Sequence, residues 1–138
     1  MGEIIVDRGL EEYAIKDKNG NVLGSFEMNP ADIEIAKRFE QVSSAISSTS
    51  EELDESKDII DNLMKLEEKV YEQIDYLFNA PVSKSFFSIT SPFTVLANGE
   101  FFVENVINSI SSIINTEAPK RYEKANEKIE RYAKKYHK

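Results

Sequence analysis

A single histidine and several paired carboxylates are the residues of this sequence whose chemistry could serve catalysis. His137 is the only histidine, it lies next to the last residue, and the chain contains no cysteine. Histidine–serine and histidine–cysteine nucleophile pairs, disulfides and zinc–thiolate sites therefore have no support. Glu67 with Glu68, or Glu100 with Glu104, would act on a proton or a metal only if they were buried together, and surface solubility explains them better. Glycine-rich phosphate-binding motifs do not occur. We expect no enzyme activity, no cofactor and no metal.

The composition fits one folded domain that spans residues 1–138, with 41% hydrophobic and 30% charged residues and a formal net charge of −8. The charge is uneven: residues 1–80 contain 19 acidic and 8 basic residues, whereas residues 81–138 contain 6 and 9. An acidic front argues against nucleic-acid binding because its field repels phosphate. The sequence also lacks an uncharged apolar run of about 18 residues and a signal peptide, so we expect neither a membrane span nor secretion.

The first 28 residues predict a β-hairpin. Two short segments with alternating apolar residues, 10–17 and 22–28, flank the pair Asn19-Gly20. Both residues of that pair tolerate positive φ, which makes it a strong hairpin signal. Two strands alone are marginally stable in water, so the hairpin must pack on a helix or pair with another chain. It either caps the helical core, which is the favoured interpretation, or offers its outer edge as a docking strand.

The remainder of the chain predicts about four principal helices, which makes the protein an α+β fold that is mainly α. Residues 29–118 form the predicted helical core, and residues 119–138 form a basic C-terminal helix. A joint is predicted at 47–50, because serine and threonine compete for backbone hydrogen bonds. Prolines at 81 and 119 mark further breaks. The predicted helices are Pro30 to about Ile46, Glu51 to about Phe78, a short one at Val82–Ser88, Glu100 to Asn115, and Pro119 to near the end.

Two apolar stripes are the candidates for a partner-binding surface. Residues 91–114 have the densest apolar content, and their helical stripe is wide enough that it must be buried against the chain itself or a partner. The C-terminal helix carries a seam of apolar and tyrosine residues spaced three and four apart, a composition suited to an interface. Closure of the protein's own bundle is the favoured interpretation of that seam. The candidate partner-binding residues are Phe86, Phe87, Phe93, Phe101, Phe102, Tyr122, Ile129, Tyr132 and Tyr136.

Five short phrases follow one another along nearly the whole chain. They are the hairpin around Lys18-Asn19-Gly20, FEMNPAD at 26–32, the acidic middle helix that ends in Tyr76-Leu77-Phe78, SPFTVLANGEFFVENV at 91–106, and RYAKKY at 131–136. In this order they resemble the tail assembly chaperones of long-tailed, siphovirus-type phages and prophages of Gram-positive bacteria.

The resemblance implies a small protein without enzyme activity or cofactor in the cytoplasm of the bacterial host. Such a protein binds the long, largely helical tape-measure protein and keeps it soluble until the tail tube assembles around it. A second expected partner is another copy of the same chain, in a homo-oligomer. The alternative is a non-phage helical oligomeric adaptor, in which the C-terminal seam pairs with another copy of the chain.

Overall fold

The computed structural model describes residues 1–55 and 59–136, and of residues 50, 53–55, 59–61 and 136 it describes the backbone alone. It confirms a mainly helical α+β fold in which a two-stranded antiparallel hairpin precedes four helices. The elements are β1 (Glu11–Lys16), β2 (Val22–Met28), α1 (Ile33–Glu55), α2 (Ile59–Phe78), α3 (Ser83–Phe87) and α4 (Phe102–Tyr136).

The hairpin forms at the predicted turn. The backbone N–H of Gly20, which has a φ of 85°, donates to the carbonyl of Asp17 at 3.1 Å. In the strands Tyr13 lies opposite Phe26, and their rings stack with centroids 5.4 Å apart. Phe26 is buried, because β2 packs on α3. The prediction that the hairpin caps the helical core is therefore confirmed for its inner face.

Helix α1 runs through the predicted joint at 47–50 and ends at Glu55, so the joint is a wrong prediction. The hydroxyl of Thr49 donates to the carbonyl of Ala45 at 2.9 Å. The Thr49 side chain is buried, as is that of Ile46, three residues earlier on the helix. The hydroxyl is thus satisfied inside the helix rather than in a loop. The helix starts later than predicted, at Ile33, where the Asp32 carboxylate accepts the backbone N–H of Glu34 at 2.9 Å and acts as the cap.

Helix α2 ends at Phe78, as predicted, where Asn79 adopts a φ of 50°. Its predicted start at Glu51 is wrong, since Glu51 belongs to α1, and residues 56–58 of the predicted helix lie outside the described residues. The carboxylate of Asp75 accepts the backbone N–H of Ser83 at 2.7 Å, which ties α2 to the short helix α3.

The core lies between the inner face of the hairpin, α1, α2, α3 and the first half of α4. It includes Phe26, Met28, Ile35, Val42, Ile46, Leu66, Val70, Ile74, Leu77, Val82, Phe86, Phe87, Phe93, Val103, Val106, Ile107 and Ile110. The 91–114 stripe was predicted to be buried either against its own chain or against a partner, and the four α4 members of this set show that its own chain buries them. Among the described residues, no helix has both the length and the apolarity needed to cross a bilayer.

The last two predicted helices are one helix. Helix α4 spans 35 residues and contains Pro119, so the predicted break at 116–119 is wrong. A proline inside a helix lacks one N–H and crowds the carbonyl four residues before it. The helix continues nevertheless because residues on both sides are held: Ala118 is buried, and Arg121 and Tyr122 hydrogen-bond to other parts of the chain.

Candidate partner-binding surfaces

The predicted phenylalanines lie in the core or against it. Phe86, Phe87 and Phe93 are at most 8% exposed, which corrects the expectation that they form an open aromatic surface. The ring of Phe87 meets that of Phe102 edge-on at 5.7 Å, and Phe93 meets Phe101 in the same way at 5.8 Å. Phe101 and Phe102 are half-buried. These rings contribute mainly to packing of the fold.

The second half of α4 is exposed on all its faces. Every residue from 122 to 135, here named the distal segment, is exposed, and Ile129 and Tyr132 are 65% and 67% exposed. The favoured prediction that the seam closes the protein's own bundle is therefore wrong for the described residues. The side chain of Tyr136, the last seam position, lies outside the described residues.

Two hydrogen-bonding residues hold the start of the distal segment. The hydroxyl of Tyr122 donates to the carbonyl of Ala31 at 2.9 Å, while 47% of the Tyr122 side chain remains exposed. Arg121 donates to the carbonyl of Gly9 at 2.7 Å and to the side-chain oxygen of Asn29 at 2.8 Å. The helix therefore leaves the body of the protein from a fixed point.

A free helix of this length is marginally stable in water. Isolated helices shorter than about 12–15 residues gain too little from their own hydrogen bonds, and most helices in proteins are stabilised by packing. The distal segment has an apolar and tyrosine seam, yet every one of its residues is exposed, and Ile129 is 65% exposed. Its flanks are basic: residues 119–138 contain 8 basic and 3 acidic residues. A partner that covers the seam would supply the missing packing.

A second surface is an apolar groove of about 630 Å³ between the hairpin and the first half of α4, here named the hairpin groove. Tyr13 through Lys18 line it without a gap. Because successive side chains of a strand point to opposite faces, this run shows that the groove follows the edge of β1. Its apolar wall includes Ile15, Leu96, Phe102, Val106, Ile110 and Ile113.

The rim of the hairpin groove carries two lysines. Neither Lys16 nor Lys18 has an ion-pair partner within the described part of the chain. The carboxylate between them, Asp17, accepts hydrogen bonds from the side chain and backbone N–H of Asn21, each at 3.0 Å, and from the backbone N–H of Asn19. The Asn21 side-chain bond is the main reason that the pKa of Asp17 lies below its usual value. Glu100 also lines the groove and accepts the side-chain N–H of Asn105 at 3.3 Å. Both carboxylates thus have hydrogen-bond partners, and the two lysines are the charged groups left to contact a ligand.

Residues 1–10, here named the N-terminal arm, form neither helix nor strand. The side chains of Ile4, Ile5 and Val6 are 90%, 96% and 68% exposed. Neither the arm nor the groove was predicted from the sequence. Three consecutive β-branched residues were an available signal for the arm, whereas the groove is assembled from distant parts of the chain.

At least one carboxylate of each pair considered for catalysis has a structural partner. Glu67 accepts the hydroxyl of Ser91 at 2.6 Å, and Glu104 accepts the backbone N–H of Phe101 at 3.4 Å at the start of α4. Within residues 1–55 and 59–136, no three histidine, aspartate or glutamate residues are grouped so that they could hold a metal ion. His137 lies outside the described residues.

Comparisons with known protein families, with curated proteins and with solved structures found no match. The two surfaces are therefore the structural grounds for a functional hypothesis.

Proposed function

We propose that this protein is a binding chaperone for a helical client, and that the client is a phage tape-measure protein. The observation that carries the proposal is the exposure of the distal segment, residues 122–135, around its whole circumference. A lone helix with an apolar seam is suited to pairing with an amphipathic helix of another protein, because each helix then covers the apolar stripe of the other.

The residues of the seam indicate which kind of helix the client would present. Ile129 and the rings of Tyr122 and Tyr132 offer apolar and aromatic surface, and the tyrosine hydroxyls keep a polar tip at the edge of an interface. The lysines and arginines beside the seam favour a client helix with acidic flanks. The resemblance of the whole sequence to tail assembly chaperones supplies the name of the client and its setting, the cytoplasm of the bacterial host.

The test is co-expression of the protein with the tape-measure protein of the same phage or prophage. Wild-type protein is expected to keep the client in the soluble fraction and to co-purify with it. Ile129→Gln removes the central apolar side chain of the seam but keeps a good helix former, so client binding is expected to weaken about tenfold or more. Lys134→Gln, on the opposite face of the same helix, is the matched control and should bind normally.

Truncation after Glu123 is the second variant. It removes most of the seam but keeps Arg121 and Tyr122, whose hydrogen bonds anchor α4. The truncated protein is expected to fold, as followed by circular dichroism, and to lose the client. A truncated protein that still solubilises the tape-measure protein would contradict the proposal.

The second candidate function is a non-phage oligomeric adaptor in which the distal segment docks on another copy. The uneven charge favours it, because the basic C-terminal residues complement the acidic residues of the first 80 positions of a second copy. Light scattering separates the two candidates. Loss of self-association on truncation after Glu123, together with a wild-type protein that does not capture the client, would favour the adaptor.

A further inference from the structure

We propose that residues 3–7 of the N-terminal arm add as a third strand to β1 of a second copy of this chain, where alternate apolar side chains of the arm enter the hairpin groove. This self-association uses neither the distal segment nor the client, so it goes beyond the proposed chaperone function and does not rest on it.

The arm has the composition of a strand but no strand to pair with in its own chain. Ile4, Ile5 and Val6 are β-branched, a type that favours strands, and they are 68–96% exposed. Three consecutive exposed apolar side chains are costly in water and gain free energy when a partner covers them.

The base of the arm is fixed while its tip is exposed. The amide nitrogen of Asn29 donates to the carbonyl of Arg8 at 3.0 Å, and Arg121 donates to the carbonyl of Gly9 at 2.7 Å. The Asp7 carboxylate accepts the backbone N–H of Gly9 at 2.7 Å. A side chain at Gly9, which has a φ of 69°, would lie 2.7 Å from the Asn29 amide. The arm therefore leaves the body in a set direction, with Ile4 and Ile5 outside the groove of its own chain.

The receptor for the arm is the outer edge of β1. Within the described residues, β2 is the only strand that pairs with β1, so the opposite edge offers backbone donors and acceptors to an added strand. The hairpin groove follows that edge and places an apolar wall from α4 beside it. An extended segment that joins such an edge gains both main-chain hydrogen bonds and apolar burial for alternate side chains.

Charge and composition favour a second copy as the source of the strand. Glu3 and Asp7 flank the apolar residues of the arm. The groove is lined by two acidic residues, Asp17 and Glu100, whose carboxylates accept hydrogen bonds from Asn21 and Asn105, and by Lys16 and Lys18, which have no ion-pair partner in the described part of the chain. The two lysines are therefore the charges left to pair with the arm. Arm and groove also occur at equal concentration, because every copy carries both. The contact is head-to-tail, so it closes into a reciprocal dimer or a ring, or extends as a chain.

Size-exclusion chromatography with light scattering is the first test. Wild-type protein is expected to have a mass above the 15.7 kDa of one chain. Ile4→Gln/Ile5→Gln should weaken self-association at least tenfold, since successive side chains of a strand point to opposite faces and the double substitution removes an apolar side chain from whichever face meets the groove. The matched control is Ile33→Gln/Ile89→Gln, which changes two isoleucines that are 64% and 79% exposed and lie outside the lining of the groove. The control should keep the wild-type mass.

Mixing two variants tests the contact between copies directly. Ser109→Arg places a large side chain in the groove at an exposed position of α4, and Ala14→Glu is a second groove variant on β1 that repels the acidic arm. Each groove variant should be monomeric alone, as should the arm variant. A mixture of arm variant and groove variant keeps one intact arm and one intact groove, so it should recover a species of twice the monomer mass.

Three results would overturn the proposal: a monomeric wild type, an arm variant with the wild-type mass, or a mixture that stays monomeric. Client capture is measured in parallel with the arm variant. An arm variant that is monomeric but captures the client normally supports both proposals. If the arm variant is monomeric and neither it nor the wild type captures the client, only the chaperone function is contradicted.

Discussion

Arg121 of α4 donates from Nη2 to Oε1 of Glu11 on β1 at 2.7 Å, although the two residues are 110 positions apart in sequence. The Nη1 atom of the same side chain donates to the Gly9 carbonyl at 2.7 Å and to Asn29 at 2.8 Å. One guanidinium thus joins the base of the N-terminal arm, the start of β1 and the point where α4 leaves the body. Its planar fork allows three acceptors to be bound at once.

Arg121→Ala is expected to destabilise the protein by about 1–3 kcal/mol, because Gly9 and Asn29 lose a charged donor that is 27% exposed. Arg121→Lys should lie between Ala and wild type, since lysine keeps the charge but lacks the fork. Urea denaturation measures both. Arg131→Ala is the control: its side chain is 82% exposed and its ion pair with Glu127 is 3.9 Å long, so its effect should stay below about 0.5 kcal/mol. An equal loss of stability in Arg121→Ala and Arg131→Ala would contradict the stabilising role of the Arg121 hydrogen bonds.

The same hydrogen bond makes part of the stability depend on pH. The Arg121 donor, and next the Tyr13 hydroxyl at 3.2 Å, hold the pKa of Glu11 below its usual 4.5. A carboxylate with a lowered folded-state pKa contributes stability that is fully present above the unfolded pKa and is lost as the pH falls through the folded one. The stability difference between wild type and Glu11→Gln should therefore vanish in acid. Carboxyl NMR titration should show the pKa of Glu11 rising in Arg121→Ala, and a pKa that does not rise would refute the cause.

Gly24 sets how closely β2 approaches α3. A Cβ at this position would lie 2.7 Å from the Cβ of Ser85 and 3.1 Å from its Cα, so Gly24→Ala forces the strand and the helix apart. We expect a loss of about 1–3 kcal/mol in thermal or urea denaturation. Ser85→Gly in the same chain removes the closest atom and should restore part of the loss. Gly2→Ala has open space around it and should be neutral.

Local signals in the sequence were sufficient for the hairpin and for the end of α2. The turn at Asn19-Gly20 and the helix end before Pro81 depend on φ preferences of single residues, which their types reveal. The burial of the 91–114 stripe also followed from its width alone. These features need no knowledge of what lies elsewhere in the chain.

Features that depend on residues distant in sequence could not be predicted from local signals. The serine-rich stretch at 47–50 stays helical because the Thr49 hydroxyl donates to the carbonyl of Ala45 within the helix, and because the Thr49 side chain is buried. The buried state of Phe86 and Phe93 depends on α4 and the hairpin rather than on their neighbours. The hairpin groove combines residues from 13 to 113, so its shape exists only after the chain has folded.

Pro119 disfavours a helix interior, yet it lies inside α4. Its replacement therefore tests which contacts keep α4 helical. Pro119→Ala restores a backbone N–H and removes a clash inside the helix, which outweighs the added freedom of the unfolded chain. We expect the free energy of unfolding to rise by about 1–3 kcal/mol, with higher helix content in circular dichroism.

The exposed neighbour Lys120 provides the control for this proline substitution. Lys120→Ala breaks only a 3.5 Å surface ion pair with Glu117 and should change stability by less than about 0.5 kcal/mol. A destabilised Pro119→Ala would show that the proline sets the direction of the distal segment through contacts of its own. In that case the anchoring of α4 by Arg121 and Tyr122 would be insufficient to explain why the helix continues.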